Sequence, residues 1–140
     1  TYLFQMTFGH HGLFSLTPIW LLLPFGLIRG LVVGPPDFRR LASAVLVATV
    51  VCLLFYLNRP LIDRNYGGVS ICFRWMLWFA PLWLVMIAPV IESFGSTGWR
   101  RFLIDGMLAL SVFSMSMSLA TPWQSPWLYQ FWQFLGWIGA

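Results

Sequence analysis

An uninterrupted apolar run from Leu41 to Leu57 limits the possible folds of this chain more than any other feature. The run is rich in small and β-branched residues and carries no charge, and its length is at the short end of what crosses a bilayer. Hydrophobic residues make up 59% of the 140 residues and charged residues 9%, whereas a soluble domain has about 25% charged residues. A chain of this size could not hide so much apolar surface from water, so we expect the bilayer to be its solvent.

Four such apolar segments predict an all-α, polytopic membrane protein that forms a single transmembrane domain over residues 1–140. Pro18 and Pro24 are expected to kink the first span, and Pro81 and Pro89 to bend the third. The last residues are too few and too rich in Trp for a fifth span, and they predict an interfacial C-terminal segment because Trp and Tyr rings prefer the headgroup level. The predicted spans are 13–34, 41–57, 69–91 and 102–120, and the interfacial tail is 123–140.

The distribution of arginine predicts the orientation of these spans. All eight basic residues are Arg, and five of them lie in or beside loops 1–2 and 3–4, whereas loop 2–3 carries Arg59 and Arg64 partly offset by Asp63. Since short basic loops stay in the cytoplasm, we expect loops 1–2 and 3–4 inside and both termini outside a bacterial inner membrane. Topology therefore explains the net charge of +4. The expected partners are membrane lipids and other transmembrane subunits, and no nucleic acid.

Arg74 is a candidate functional residue because it is predicted to lie inside the third span. Burying a guanidinium in the membrane costs free energy unless the group is paired or hydrated. Its planar set of N–H donors suits phosphate or carboxylate. It follows the turn formed by Asn65, Tyr66, Gly67 and Gly68, where glycine permits positive φ and backbone N–H groups are able to approach a ligand. These five residues predict a lipid-phosphate or anion site. The alternatives are a simple turn and an Arg that snorkels to the headgroups.

His10 and His11 form a Gly-flanked pair and are candidate ligands of a metal, a pigment or a haem. Adjacent His side chains point to different sides of a regular element, so one site rarely uses both, and no third ligand type is close in sequence. The alternative is a pair of polar interface residues at a helix start. The sequence requires no cofactor; we expect bound lipids, and a pigment or haem is possible.

Two sets of small residues predict close packing between helices. Glycines at four-residue spacing let helix backbones approach one another, and serines on one face add interhelical hydrogen bonds. For the glycines, chance in a Gly-rich span is the alternative. The residues are Gly26, Gly30 and Gly34 in the first span and Ser111, Ser114 and Ser118 in the fourth.

A complete catalytic constellation is not visible in the sequence. The carboxylates are Asp37, Asp63, Glu92 and Asp105, and they form no pair at a useful spacing. Asp105 follows Arg101 by four residues, which predicts a salt bridge along a helix. There is no HExxH-type motif, nucleophile elbow or Gly-rich phosphate loop.

Three stretches resemble a known family in their order along the chain: GHHGLFSLTPIW, NYGGVSICFRWMLWFAPLW and LSVFSMSMSLATPWQSPW. They resemble the C-terminal membrane half of bacterial polytopic proteins related to GT-C-type glycosyltransferases. The resemblance implies an extracytoplasmic site that uses polyprenyl-phosphate sugars, with the catalytic acidic residue in the first outer loop of a longer protein. This sequence has no such loop, so the resemblance speaks to ancestry more than to activity. The matching positions are Gly12-Leu13-Phe14, Tyr66-Gly67-Gly68, Arg74-Trp75 and Pro81.

The sequence leaves three functions open. The small residues that predict close helix packing, together with the incomplete site, favour an integral membrane accessory or structural subunit within a larger bacterial membrane complex. The resemblance favours the C-terminal part of a GT-C-type glycosyltransferase with a lipid-phosphate sugar donor. The His pair leaves open a pigment- or haem-binding membrane subunit.

Overall fold

The computed structural model describes residues 2–60, 62, 74–94, 98–120 and 123–138, and all regular structure within them is helical. The all-α prediction is therefore confirmed for the described part of the chain. Two 3₁₀ helices, Pro18–Leu22 and Arg74–Phe79, each lead directly into an α-helix. The α-helices are α1 (Tyr2–Thr7), α2 (Leu13–Leu16), α3 (Leu23–Val33), α4 (Pro36–Leu57), α5 (Ala80–Phe94), α6 (Gly98–Ala120) and α7 (Trp127–Phe134).

Two described helical segments are long and apolar enough to cross a membrane. They are α4, with a mean hydropathy of 2.2, and Trp75–Phe94, with a mean hydropathy of 1.7. A core helix of a soluble protein can match them in length and composition, but such a helix is mostly buried. Only 11% of the apolar window of α4 and 22% of that of Trp75–Phe94 is buried. By length and composition, these two segments are able to span a bilayer.

The region of the first predicted span, 13–34, is three helical pieces and not one kinked helix. α2 ends at Leu16, and Thr17 leaves the helical region with φ −131° and ψ 71°. Pro18 then opens the first 3₁₀ helix, and Pro24 lies in the first turn of α3. Proline has no N–H to donate to the preceding turn, so each one begins a new helical piece. The apolar stretch Pro18–Val33 is shorter than the roughly 20 residues usual for a span.

Two helix starts and the place of one proline differ from those expected. α4 begins at Pro36, earlier than the predicted residue 41, because proline is well suited to a first turn and Asp37 there is favoured by the helix dipole. α6 begins at Gly98, before the predicted residue 102. Pro81, expected to bend the third span, is the second residue of α5, at its junction with the second 3₁₀ helix. Pro89 lies within α5, as the predicted span required.

α3 is the central helix, and it packs on both α4 and α5. Gly26 lies against Met86, and further along the pair Val33 and Phe94 line one cavity, so α3 and α5 run parallel. α6 runs antiparallel to both, since Ser111 contacts Ile19, whereas Leu103, earlier in α6, lines a cavity with Phe25, later in the chain. The arginines near the starts of α4 and α6 therefore lie at one end of the bundle. The His pair and α7 lie at the other.

Trp83 is the centre of the core, with no exposed surface. Its indole Nε1 donates a 3.0 Å hydrogen bond to Thr49 Oγ1 of α4. Trp20 packs against it edge to face, with 5.3 Å between ring centroids. The Trp20 Nε1 atom is buried and has no hydrogen-bond partner among the described residues. Leu16 of α2 and Met86 of α5 are also fully buried.

Candidate functional site at the histidine end of the bundle

A tight turn between α1 and α2 holds His10 and His11 in place. The Gly12 N–H donates to the Gly9 carbonyl over 2.8 Å, and the Ser15 hydroxyl donates to the same oxygen over 2.6 Å. A Cβ atom on Gly12 would lie 2.6 Å from the Thr7 carbonyl oxygen, so only glycine fits this close return of the chain. The Gly-His-His-Gly sequence is therefore the turn itself, and it presents both imidazoles on one side.

The two imidazole rings contact each other directly. Nδ1 of His10 and Nδ1 of His11 form a hydrogen bond, and the ring centroids are 4.5 Å apart at 73°. One Nδ1 must donate a proton and the other must accept it, so the two neutral rings have different tautomers. Protonation of both rings would place two positive charges in contact. The pair is thus arranged to hold one proton between the rings, in contrast to the expectation that the side chains diverge.

α7 covers the pair with aromatic rings. Tyr129 lies 5.0 Å from His10 and 5.5 Å from His11, measured between ring centroids. Trp132 lies edge-on to His10 at 5.7 Å. These contacts join residues more than a hundred positions apart in sequence. They make the His pair one wall of an aromatic cluster, and not a pair of solvent-facing polar residues.

Burial sets the electrostatics of the pair. His11 is 8% exposed. Burial, and secondly the nearby His10, lowers the pKa of His11 from 6.5 to about 4. Burial also lowers the pKa of His10. Both rings are consequently neutral near pH 7, which is the form that hydrogen-bonds through Nδ1 and binds metals.

The described residues do not complete a metal site here. Within 2–60, 74–94, 98–120 and 123–138, no three His, Cys, Asp or Glu side chains group closely enough to hold an ion. A pigment or haem would have to bind Nε2 of one ring, because Nδ1 of both rings is engaged in the pair. The predicted role of His10 and His11 as ligands stays a prediction.

The predicted anion site falls largely outside the described residues. Asn65, Tyr66, Gly67 and Gly68 lie there, as does the side chain of Arg74. The backbone of Arg74 begins the second 3₁₀ helix, so the residue stands at the first described position of the third hydrophobic segment. The lipid-phosphate role of these five residues stays a prediction.

The three glycines predicted to pack helices have different neighbours. Gly26 lies against the main chain of Met86 in α5, where a Cβ atom would come within 2.8 Å of the carbonyl carbon. Gly30 faces α4, where a Cβ would lie 3.0 Å from the Cβ of Ala42. Gly34 contacts Phe38 across the turn into α4. Two of the three therefore lie where α3 closely approaches a neighbouring helix.

Two of the three predicted serines join elements through hydrogen bonds. The Ser111 hydroxyl accepts the Ile19 N–H over 3.2 Å and is 5% exposed. The Ser114 hydroxyl is fully buried and accepts the indole N–H of Trp127 over 2.9 Å. Ser118 has a side chain outside the described part of the structure. The serine face of α6 thus holds the first 3₁₀ helix and α7 in place.

Sequence reasoning missed several residues of the site and of the bundle around it. Tyr129 and Trp132 were expected only as interface anchors, and their partnership with His10 depends on a long-range fold. Thr49, which accepts from Trp83, lies in the middle of the apolar run 41–57, where a hydroxyl side chain was a usable signal. Gly106 was also missed: it has open space around it in the middle of α6.

Comparison of the chain with protein-family models, with curated proteins and with solved structures finds no match in any of the three. The resemblance to GT-C-type transferases stays a prediction.

Proposed function

We propose that this chain is an integral membrane subunit that packs through its helices within a larger membrane assembly, with four spans and an interfacial C-terminal helix. The carrying observation is the apolar outer surface of the bundle. On α4, Val47, Val51 and Phe55 are each about 60% exposed (59%, 60% and 61%). α3 and α6 present similar residues, such as Val32 at 68% and Phe102 at 77%. Faces of this composition need lipid or protein against them.

Gly106 supports a protein partner on one part of this surface. Glycine costs about 1 kcal/mol relative to alanine in the middle of a helix. Gly26 and Gly30 offset that cost through close helix contacts, whereas a Cβ on Gly106 would meet nothing within 4 Å. Small residues in membrane helices are favoured where another helix backbone approaches. Gly106 therefore fits a contact with a second polypeptide.

The form of α7 supports the interfacial tail. Within α7 no residue is fully buried, although Tyr129 and Trp132 lie against the His pair. Phe134 is 86% exposed and Trp137, just beyond the helix, is 71% exposed. A short helix with aromatic rings on its outer side suits the headgroup level.

Mild detergent purification from the native membrane, followed by mass spectrometry of the co-purifying molecules, tests the proposal. We expect a partner polypeptide to co-purify at fixed stoichiometry and to be lost in Gly106→Leu. It should be retained in Ala44→Leu, the matched control at an exposed position of α4. A lone chain that carries polyprenyl-phosphate would contradict the subunit function and favour the transferase. A visible absorbance band lost in His10→Ala or His11→Ala would favour the pigment or haem protein.

A further inference from the structure

Two adjoining apolar cavities open at the Arg-rich end of the bundle. One, of about 290 Å³, lies between α3 and α5, and the other, of about 280 Å³, lies between α3, α5 and α6. Both are lined by Phe25 and Phe94, so they adjoin one another, and together they are called here the Phe25–Phe94 groove. Ile28 and Val32 of α3 and Leu103 of α6 line its sides. The groove is mainly apolar and large enough for part of an acyl chain.

One arginine borders each cavity. Arg29 lines the first and Arg100 lines the second. The guanidinium carbon of Arg100 lies 5.3 Å from the Phe94 ring centroid and 5.7 Å from that of Trp99. These contacts place the guanidinium beside the groove, and its planar set of N–H donors suits an anion.

These two arginines differ from Arg40 and Arg101 at the same end. Arg40 pairs with Asp37 at 3.2 Å, and Arg101 pairs with Asp105 at 3.8 Å. Among the described residues, Arg29 and Arg100 make no ion pair with a carboxylate. Arg39, at the same end, also lacks an ion pair among the described residues, but its guanidinium donates to the backbone carbonyls of Val32 and Gly34. Two guanidinium groups with no carboxylate partner in the described part of the chain therefore border the apolar groove.

An apolar groove with cationic groups at its mouth matches an amphiphile with an anionic head. Inorganic phosphate would use the arginines but leave the aromatic and aliphatic walls uncovered. An uncharged lipid would fill the walls but leave the arginines without a partner. Basic pockets between membrane helices at the cytoplasmic side commonly take anionic lipid headgroups, and this end is the one predicted to be cytoplasmic.

The geometry points to one anionic glycerophospholipid bound here, with an acyl chain in the Phe25–Phe94 groove and its phosphate at Arg29 and Arg100. This inference rests on the membrane location in the proposed function, but it does not require a partner subunit. The site is at the end opposite the His pair. It is also distinct from the lipid-phosphate site predicted at Arg74.

Native mass spectrometry of the purified full chain, titrated with phosphatidylglycerol or with phosphatidylcholine of the same acyl chains, tests the inference. We expect one phosphatidylglycerol bound in preference to phosphatidylcholine. The double variant Arg29→Gln/Arg100→Gln should weaken phosphatidylglycerol binding at least about fivefold, the effect of one arginine near an anionic lipid surface. Val32→Trp, at an exposed position in the groove wall, should weaken it by blocking the acyl chain. Thermal melting of each variant verifies that it is folded.

Arg40→Gln is the matched control, because Arg40 lies at the same end but outside the groove and is paired with Asp37. Equal losses in Arg40→Gln and in the double variant would overturn the inference in favour of general charge attraction. Equal binding of the two lipids, or displacement of the lipid by inorganic phosphate, would also overturn it. Because the isolated chain is used, absence of partner subunits does not affect the result.

Discussion

At the scale of single residues, Gly26 shows how little room the bundle leaves between α3 and α5. A Cβ atom there would approach both the carbonyl oxygen and the carbonyl carbon of Met86, which are main-chain atoms of a neighbouring helix. A flexible side chain could move away, but a helix backbone moves only as a unit. The glycine therefore sets the distance between the two helices, which is the role that its spacing with Gly30 predicts.

We predict that Gly26→Ala destabilises the purified chain by about 1–3 kcal/mol, the usual cost of overpacking. Thermal melting in detergent measures the change. Gly106→Ala is the control, since its new methyl group meets nothing and alanine is the better helix former. Equal melting temperatures for the two variants would show that α3 and α5 do not pack as closely as described.

A second prediction at this scale concerns the protonation of His11. The folded chain holds its pKa at about 4, whereas the unfolded chain takes up a proton near 6.5. As the pH falls from 7 through 6.5 towards 4, the unfolded state binds more protons, so stability that is complete above pH 6.5 is progressively lost. Because the ring is partly solvated, the expected loss is of the order of 2 kcal/mol.

Melting temperatures at about pH 7.5 and about pH 4.5 measure this loss. His11→Gln keeps a polar side chain of similar reach but does not titrate in this range. We expect a smaller fall in melting temperature with acid in His11→Gln than in the unchanged chain. An equal fall in both would show that other groups cause the acid sensitivity.

At the scale of helices, sequence reasoning found the apolar segments but not all of their ends. The end of α4 follows from Asn58-Arg59-Pro60, which stops a helix by its own chemistry. α4 begins earlier than predicted because charged residues such as Arg39 and Arg40 do not end a helix, which continues past the hydrocarbon core. The division of 13–34 depends on how Thr17-Pro18 is packed, which local pattern does not determine.

The candidate site shows a similar division between what was predictable and what was not. Gly9 and Gly12 flank the His pair in the sequence, but the turn that they form was not predicted. The cover provided by Tyr129 and Trp132 depends on α6 returning the chain to the same end, and a single sequence carries no signal for that pairing. The Nδ1 contact within the pair likewise depends on the turn geometry, which adjacent His residues do not reveal.

We predict that Ser114→Ala releases α7 from the bundle. The change removes the acceptor of the Trp127 indole N–H and leaves that half-buried donor unpaired, at a cost of about 1–3 kcal/mol. Hydrogen–deuterium exchange of the α7 amides should become about tenfold faster. Ser116→Ala is the control, because Ser116 is exposed and donates only to the Phe113 carbonyl in its own helix. Unchanged exchange in Ser114→Ala would mean that the aromatic contacts with His10 suffice to hold α7.

At the scale of the whole molecule, the bundle separates its polar features between two ends. α4 and α6 run antiparallel to α3, so the end of α3 and the starts of α4 and α6 lie together. This end of the bundle carries Arg29, Arg39, Arg40, Arg100 and Arg101. The His pair, its aromatic cover and the end of α4 lie at the other. In a membrane, a bundle with this polarity has a preferred orientation because basic loops resist translocation.

The last prediction follows from that polarity. Pro35 is exposed in the turn between α3 and α4, and Gln133 is exposed on α7 at the opposite end. In a background with Cys52→Ala and Cys72→Ala, we expect a membrane-impermeant thiol reagent to label Gln133→Cys in intact bacterial cells. We expect Pro35→Cys to be labelled only after the membrane is permeabilised. Both substitutions leave every arginine in place, so the charge signal is unchanged. Labelling of both positions from outside would contradict a bundle that crosses the membrane, and the opposite labelling pattern would retain the bundle but reverse its orientation.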